Sequence, residues 1–254
     1  SSNIEELNTR LKGIVIRRIK KEVLSELPEK QKTNIELKID NVSEYAQAEQ
    51  DIIDYINDKK GYSAADKASR AKALVKIETL KQIAAEGKLP GVYEWIDSFL
   101  ASGEKLVIFA WHDFVINALR AKYSSISVSL TGSNSSEQRQ ASVDAFQNNP
   151  SIKLFIANIQ AGGLGITLTA SSNVAFVELG WTPSIMTQAE DRVHRIGQKN
   201  AVNVYYLLAR NTIDDMMCEL LIRKSSVIDA AIDGKAYLEF SMFDELIDSF
   251  RKNQ

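Results

Sequence analysis

Leu106-Val107-Ile108-Phe109-Ala110 is an unbroken apolar run. A strand with one face in water alternates apolar and polar side chains. A strand apolar at every position is covered on both faces, as in the middle of a parallel sheet. Reading outward from this run, residues 114–122 have helical spacing, 126–130 strand, 135–147 helix and 152–157 strand. Strand signals return at 173–179 and 202–208, with helices expected over 183–195 and 212–232. Strands separated by helical spans need crossover connections, so the fold class is α/β, with a mostly parallel sheet flanked by helices.

The chain before residue 105 reads differently. Leu7, Leu11, Ile14 and Val15 share a helical face within a charge-rich stretch, and Arg17-Arg18-Ile19-Lys20-Lys21 is a short basic run that leads to Pro28. Asn34-Ile-Glu-Leu-Lys-Ile39 alternates as a strand. Ser43 is placed as the N-cap of a helix over 44–58. A second helix is expected over 64–86, with Gly87 as its stop. Pro90-Gly91 is then expected to open a further short helix that Gly103 closes. The organisation expected is a lobe-entry segment at 1–42, a helical segment at 43–103, an α/β core at 104–235 and a helical tail at 236–254.

Composition narrows the function classes. The 254 residues carry 31 Lys+Arg against 33 Asp+Glu, a net charge of −2, so a nucleic-acid binder advertised by high pI is excluded and only a local basic surface remains. With 44% hydrophobic and 25% charged residues, the composition is that of a soluble globular protein and not of a disordered or repetitive one. The lone cysteine, Cys218, fits a reducing compartment and is expected in a helix core, and one Cys with two His supplies metal sites poorly. The first fifteen residues lack a signal-peptide core, and no apolar run has the length of a membrane helix, so the expected location is cytoplasmic or nuclear. Ser1-Ser2 without Met is expected of a processed or truncated chain.

Four segments can carry chemistry. In Gln188-Ala-Glu-Asp-Arg192-Val-His-Arg195-Ile-Gly-Gln198, Ile185, Ala189, Val193 and Ile196 share one helical arc. Gln188, Arg192 and Arg195 share the neighbouring arc. Two guanidiniums one turn apart suit a triphosphate; a solvated helix face with Glu190 and Asp191 as local partners fits the spacing equally. Asn158-Ile-Gln160-Ala-Gly162-Gly163-Leu-Gly165-Ile-Thr167 follows an apolar strand, and its glycines suit close backbone approach to phosphate, a tight turn or a nicotinamide site. Glu178-Leu-Gly-Trp181-Thr-Pro183 presents a Trp that stacks on a nucleic acid if exposed and folds onto the core otherwise. Thr131-Gly132-Ser133-Asn-Ser-Ser-Glu-Gln-Arg139 is a phosphate-contact site or simply a helix capped by Ser135 or Ser136. Three of these segments follow strand ends, the ligand-binding edge of open parallel sheets. His112 and His194 have no metal-pair spacing and are given a polar or surface role.

Together the segments resemble the Swi/Snf family of superfamily 2 DNA-dependent ATPases over about residues 10–235. Gln188 to Gln198 resembles its motif VI, and Ala161-Gly-Gly-Leu-Gly165 its motif V. Leu130-Thr-Gly-Ser133 with Arg139 and Phe146 is similar to the motif after the second core strand. Ile16 to Leu24 with Leu27-Pro28-Glu-Lys30 is similar to the entry into the second lobe. The wording at 178–183 and 188–191 is closest to annealing helicases and their bacterial relatives.

The resemblance implies a RecA-like second lobe of an ATP-driven duplex-DNA translocase. It implies Arg192 and Arg195 as arginine fingers and Gln188 as the coupling residue. Gly163, Gly165 and Asp191 would lie at the nucleotide. Trp181, Gly132, Ser133, Arg139, Asn158, Gln160 and Thr167 would lie at double-stranded DNA. Asn158 and Gln160 stand where many members carry Ser or Thr and Arg. ATP and Mg2+ would be held mainly by an N-terminal RecA-like lobe of the same parent chain, because no Gly-Lys-Ser/Thr occurs here. This lobe alone is then expected to be inactive. A stand-alone binding module and an RNA helicase are the competing readings.

Overall fold

Period-two burial organises the sheet. Val107 and Phe109 of β2 (Leu106–Ala110) face one buried cluster together with Phe155, Ala157, Val174 and Phe176. Leu106, Ile108 and Ala110 face a second cluster with Leu154, Ile156 and Ala175. All five residues of β2 are buried, as an apolar run covered on both sides requires. The computed structural model describes residues 24, 26–58, 62–64, 66–132, 134–160, 165–232 and 242–252. The expected helix and basic run before residue 24 lie outside these residues, as do Gly163 and Ser133.

The element order is β1 (Lys30–Leu37), α1 (Val42–Asn57), α2 (Lys67–Leu100), β2, α3 (Asp113–Lys122), β3 (Ser127–Leu130), α4 (Ser136–Asn148) and β4 (Leu154–Asn158). There follow β5 (Asn173–Phe176), α5 (Pro183–Glu190), β6 (Val202–Ala209), α6 (Ile213–Ile232) and α7 (Met242–Lys252). The six strands form one sheet in the order β1-β6-β5-β2-β4-β3, and every pairing is parallel. The C-terminal half of α2 and α3 cover one face; α1, α4, α5, α6 and α7 contribute to the cluster on the other. The expected α/β class and its mostly parallel sheet are therefore what the chain adopts.

Three expectations are corrected. β1 spans Lys30–Leu37, not 34–39. It is an edge strand, so its first residues are polar and give no alternation to read. Ser43 is not the N-cap of α1: the helix starts at Val42, and Asn41 before it turns its amide to the Ile83 carbonyl (2.9 Å). The two helices expected on either side of Gly87 are one, capped by Asp66 and running through Gly87, Pro90 and Gly91 to Leu100. Gly87 is there for close approach, because a Cβ would come within 1.8 Å of Asn41 Oδ1. Its carbonyl also accepts the Asp40 N–H at 3.1 Å, a bond to the segment that precedes α1. A buried ion pair, Lys88 with Asp214, fastens the middle of α2 to the start of α6, and Lys88 also donates to the Leu207 carbonyl at 2.9 Å.

Candidate functional site

The loops after β2, β3, β4 and β5 emerge from the same edge of the parallel sheet. Asn158 donates to the Trp111 carbonyl (2.9 Å) and its Oδ1 accepts the Gln160 N–H (2.9 Å), so it ties two of these loops together. After β3, Ser135 caps α4 in a reciprocal capping box with Gln138. Arg139 reaches back from that helix to the Gly132 carbonyl at 3.4 Å, while its Nε is buried with no hydrogen-bond partner among the described residues. Gly132 and Gln160 are exposed, and Thr167 is half-buried.

The Arg-bearing segment departs from the expected helix over 183–195. α5 begins as its sequence indicates, with Thr182 Oγ1 accepting the Ile185 N–H (3.3 Å) and Pro183 in the first turn. It ends at Glu190. The Arg192 carbonyl is taken by the Leu168 N–H (2.8 Å), and the following amides close shorter turns, as from Val193 to the Glu190 carbonyl at 3.1 Å. The helical arc therefore fails beyond this point: Ala189 and Val193 are buried, but Ile196 is 73% exposed. Gln188, Arg192 and Arg195 do not line one helix edge. Gln188 is exposed on α5, Arg192 folds back so that its Nε donates to the Gln188 carbonyl (3.1 Å), and Asp191 is half-buried. Arg195 Nη1 donates to the carbonyls of Gly165 (2.9 Å) and Ile166 (3.2 Å). Gly165 has φ +74°, a left-handed turn that glycine adopts without strain. Burial and then repulsion from Arg195 push the Arg192 guanidinium below its ordinary value. Neither arginine forms an ion pair with a carboxylate among the described residues.

Glu190 is not a local partner on the helix surface. It is fully buried and accepts from Lys30 (2.6 Å), Lys32 (2.7 Å) and Tyr206 Oη (2.7 Å). Burial would raise its carboxyl, but the two ammonium groups hold it below the usual carboxylate value. The edge strand β1 is thereby clamped to the residue that ends α5, directly before the arginines.

A second cluster was not legible in the spacing. Glu178, 3% exposed, accepts the backbone N–H groups of Trp111 and His112 (both 2.9 Å) and binds His112 Nδ1 at 2.5 Å. Glu78 of α2 faces His112 Nε2 at 3.3 Å and accepts the Trp181 indole N–H at 2.7 Å. Burial opposes the imidazolium, yet the two carboxylates lift His112 to about 9. Of the polar or surface role expected for His112, the structure shows the polar one, with the ring between two carboxylates and little exposed. Lys81, 3% exposed, lies 4.8 Å from the ring centroids of both Trp111 and Trp181. Trp181 is half-buried and folded onto α2, not standing free on its loop. The only sequence signal was the i, i+3 spacing of Glu78 and Lys81, which any charged helix face carries.

A family model described as "Helicase conserved C-terminal domain" matches residues 91–197. The "SWI/SNF-related matrix-associated actin-dependent regulator of chromatin subfamily A-like protein 1" of Xenopus tropicalis is 34% identical, over 100% of this chain and 26% of its own length. The "DNA annealing helicase and endonuclease ZRANB3" of Homo sapiens is 33% identical, over 92% of this chain and 22% of its own. The structure titled "Sulfolobus solfataricus SWI2/SNF2 ATPase core in complex with dsDNA" superposes with a TM-score of 0.66 at 26% identity, covering 91% of this chain and 52% of that one. The chain belongs to the Swi/Snf family of superfamily 2 ATPases, as a C-terminal helicase lobe. It spans about a quarter of the length of the curated relatives it matches. In this Swi/Snf lobe the matched span holds the 131–139 loop, Asn158, Trp181 and both arginines. It leaves out β1, α1, Glu78, Lys81, β6, α6 and α7. No helix among the described residues is long and apolar enough to cross a membrane.

Proposed function

We propose that this lobe is the second half of an ATP-driven translocase on double-stranded DNA, of the annealing-helicase branch, and that Arg192 and Arg195 act as its arginine fingers. The observation that carries the reading is the state of these two side chains. Arg192 is held by the Gln188 carbonyl and Arg195 by the carbonyls of Gly165 and Ile166, and neither forms an ion pair with a carboxylate among the described residues. Carbonyl partners orient a guanidinium without neutralising it, so the charge stays available to a polyphosphate. Closing the lobe onto ATP held by an N-terminal RecA-like lobe brings both forks toward the γ-phosphate, where such an arginine is worth about 10³–10⁵ in rate. Gln188, Asp191, Gly163 and Gly165 lie at or beside this nucleotide edge in the proposal.

Gly132, Ser133, Arg139, Asn158, Gln160, Thr167 and Trp181 form the DNA side. Backbone N–H groups and hydroxyls there compensate for the net charge of −2. Mg2+ is assigned mainly to the other lobe in this proposal, because no Gly-Lys-Ser/Thr occurs in this chain. The parent acts where its duplex substrate is, in a nucleus or in a bacterial cytoplasm.

The test is ATP turnover by the two-lobed parent protein with duplex DNA, single-stranded DNA or none. Turnover stimulated by duplex and abolished in Arg195→Ala supports the reading. An active Arg195→Ala variant makes the arginine structural and refutes the finger assignment. Turnover by the 254-residue chain alone refutes the division of labour between lobes.

A further inference from the structure

Trp181 is oriented from the stretch of α2 that precedes the matched helicase span. An indole has one donor and two faces. Here the donor is engaged by Glu78 at 2.7 Å, and the Lys81 ammonium, three residues further along α2, lies 4.8 Å from the ring centroid. The second oxygen of Glu78 faces His112 Nε2 at 3.3 Å and Lys81 at 3.7 Å, and His112 is itself held by Glu178 at the end of β5. The indole also walls a cavity of about 600 Å³ shared with Trp111, Arg70, Leu74 and Phe243. α2 therefore fixes the ring through its N–H and through a cation, while the ring still borders open space.

We propose that Glu78 is a positioning residue for DNA engagement: by holding the indole N–H it sets the angle at which Trp181 meets the duplex, and so couples helix α2 to the motor cycle. The inference rests on the assignment of Trp181 to duplex DNA made above. Removing the acceptor frees the indole to swing into the cavity, and the penalty then falls on DNA and not on nucleotide. Glu78→Gln keeps an oxygen that can accept the indole N–H, so the hydrogen bond and the charge can be separated.

The experiment measures ATP turnover against duplex concentration in the two-lobed parent protein for wild type, Glu78→Ala, Glu78→Gln, Trp181→Ala and the Glu78→Ala/Trp181→Ala pair. Glu78→Ala is expected to raise the half-saturating duplex concentration about tenfold, the weight of one hydrogen bond to a charged acceptor, while the KM for ATP stays put. Glu78→Gln is expected to stay within about threefold of wild type. In the double variant the glutamate substitution adds less than about twofold, because residues acting through one contact are not additive. Additive effects, or equal effects of the Ala and Gln variants, make Glu78 merely structural and overturn the proposal.

Glu78→Met fills the volume without an acceptor and replaces the alanine variant should that one fail to fold. The indole 15N–H resonance of Trp181, assigned with Trp181→Phe in the 254-residue chain, gives a readout independent of the motor. It is expected to move in Glu78→Ala, and an unmoved resonance overturns the proposal. A wild-type curve flat in duplex, with the resonance moved, refutes the DNA reading of Trp181 and not the contact with Glu78; the coupling role then falls with that reading.

Discussion

Replacing Glu190 with alanine removes the carboxylate on which Lys30, Lys32 and Tyr206 converge. Breaking a buried pair commonly costs about 3–5 kcal/mol because one charge stays buried and unpaired. Here the survivors are lysines whose side chains are 22% and 48% exposed, so both can turn toward water, and the expected loss is about 2–3 kcal/mol at pH 7. Lys30→Ala should cost more than Lys32→Ala, whose half-exposed ammonium is screened by salt. The sign with pH follows from the lowered carboxyl. A group held below its unfolded value of 4.5 contributes fully above that value and loses the contribution as pH falls through its folded value. The gap between wild type and Glu190→Ala, measured by urea denaturation, should therefore narrow in acid. A loss under about 1 kcal/mol at pH 7 would reduce the clamp to an ordinary surface ion pair, and a gap independent of pH would refute the electrostatic argument.

His112 should titrate near 9, above its ordinary 6.5, and its ring signals are separable because the chain has two histidines. The stability it contributes is complete below 6.5 and is lost as pH rises through about 9; Glu178→Gln should return the titration toward 6.5, and a wild-type midpoint there would refute the clamp. Gly87→Ala should destabilise by about 1–2 kcal/mol, because overpacking against Asn41 and Ile39 outweighs a helix-propensity gain of about 1 kcal/mol; unchanged thermal stability would show that Asn41 gives way freely. Cys218, 6% exposed with its thiol pushed up to about 11 by burial, should resist alkylation at pH 8 until the chain is unfolded. Rapid modification of the native chain, read by mass spectrometry, would contradict that.

The interior was readable because burial on both faces of β2 and β4 leaves a signature in the side chains themselves. Their apolar runs, and the helices between them, carry enough information to give a parallel sheet. The start of β1 is hidden in the sequence because an edge strand with exposed Gln31, Lys32 and Thr33 needs no alternation. The continuity of α2 is hidden because Gly87 and Pro90 read locally as a stop, while in the fold the glycine answers a steric demand from Asn41 that lies 46 residues away in the chain. The end of α5 is not local information, because the Arg192 carbonyl beyond it is taken by the N–H of Leu168, in a different loop. The arginines stood out because motif VI is one continuous stretch. The Glu78, His112 and Glu178 cluster did not, because its members come from α2, the end of β2 and the end of β5 and meet only after the sheet has formed.

The first strand of the described sheet is also among the last to find its partner. Lys30 of β1 lies opposite Val202 of β6, so during synthesis β1 waits for 172 further residues. At roughly 5–20 residues per second that is an interval of about 10–35 s. Pairing so distant in sequence is entropically slow to close, and an unpaired strand edge invites association with other chains. The polarity of β1, which hid it from sequence reading, leaves a waiting strand with little apolar surface to offer. Lys30 and Lys32, which clamp Glu190 in the folded lobe, also put on this strand the charge that discourages pairing with foreign edges.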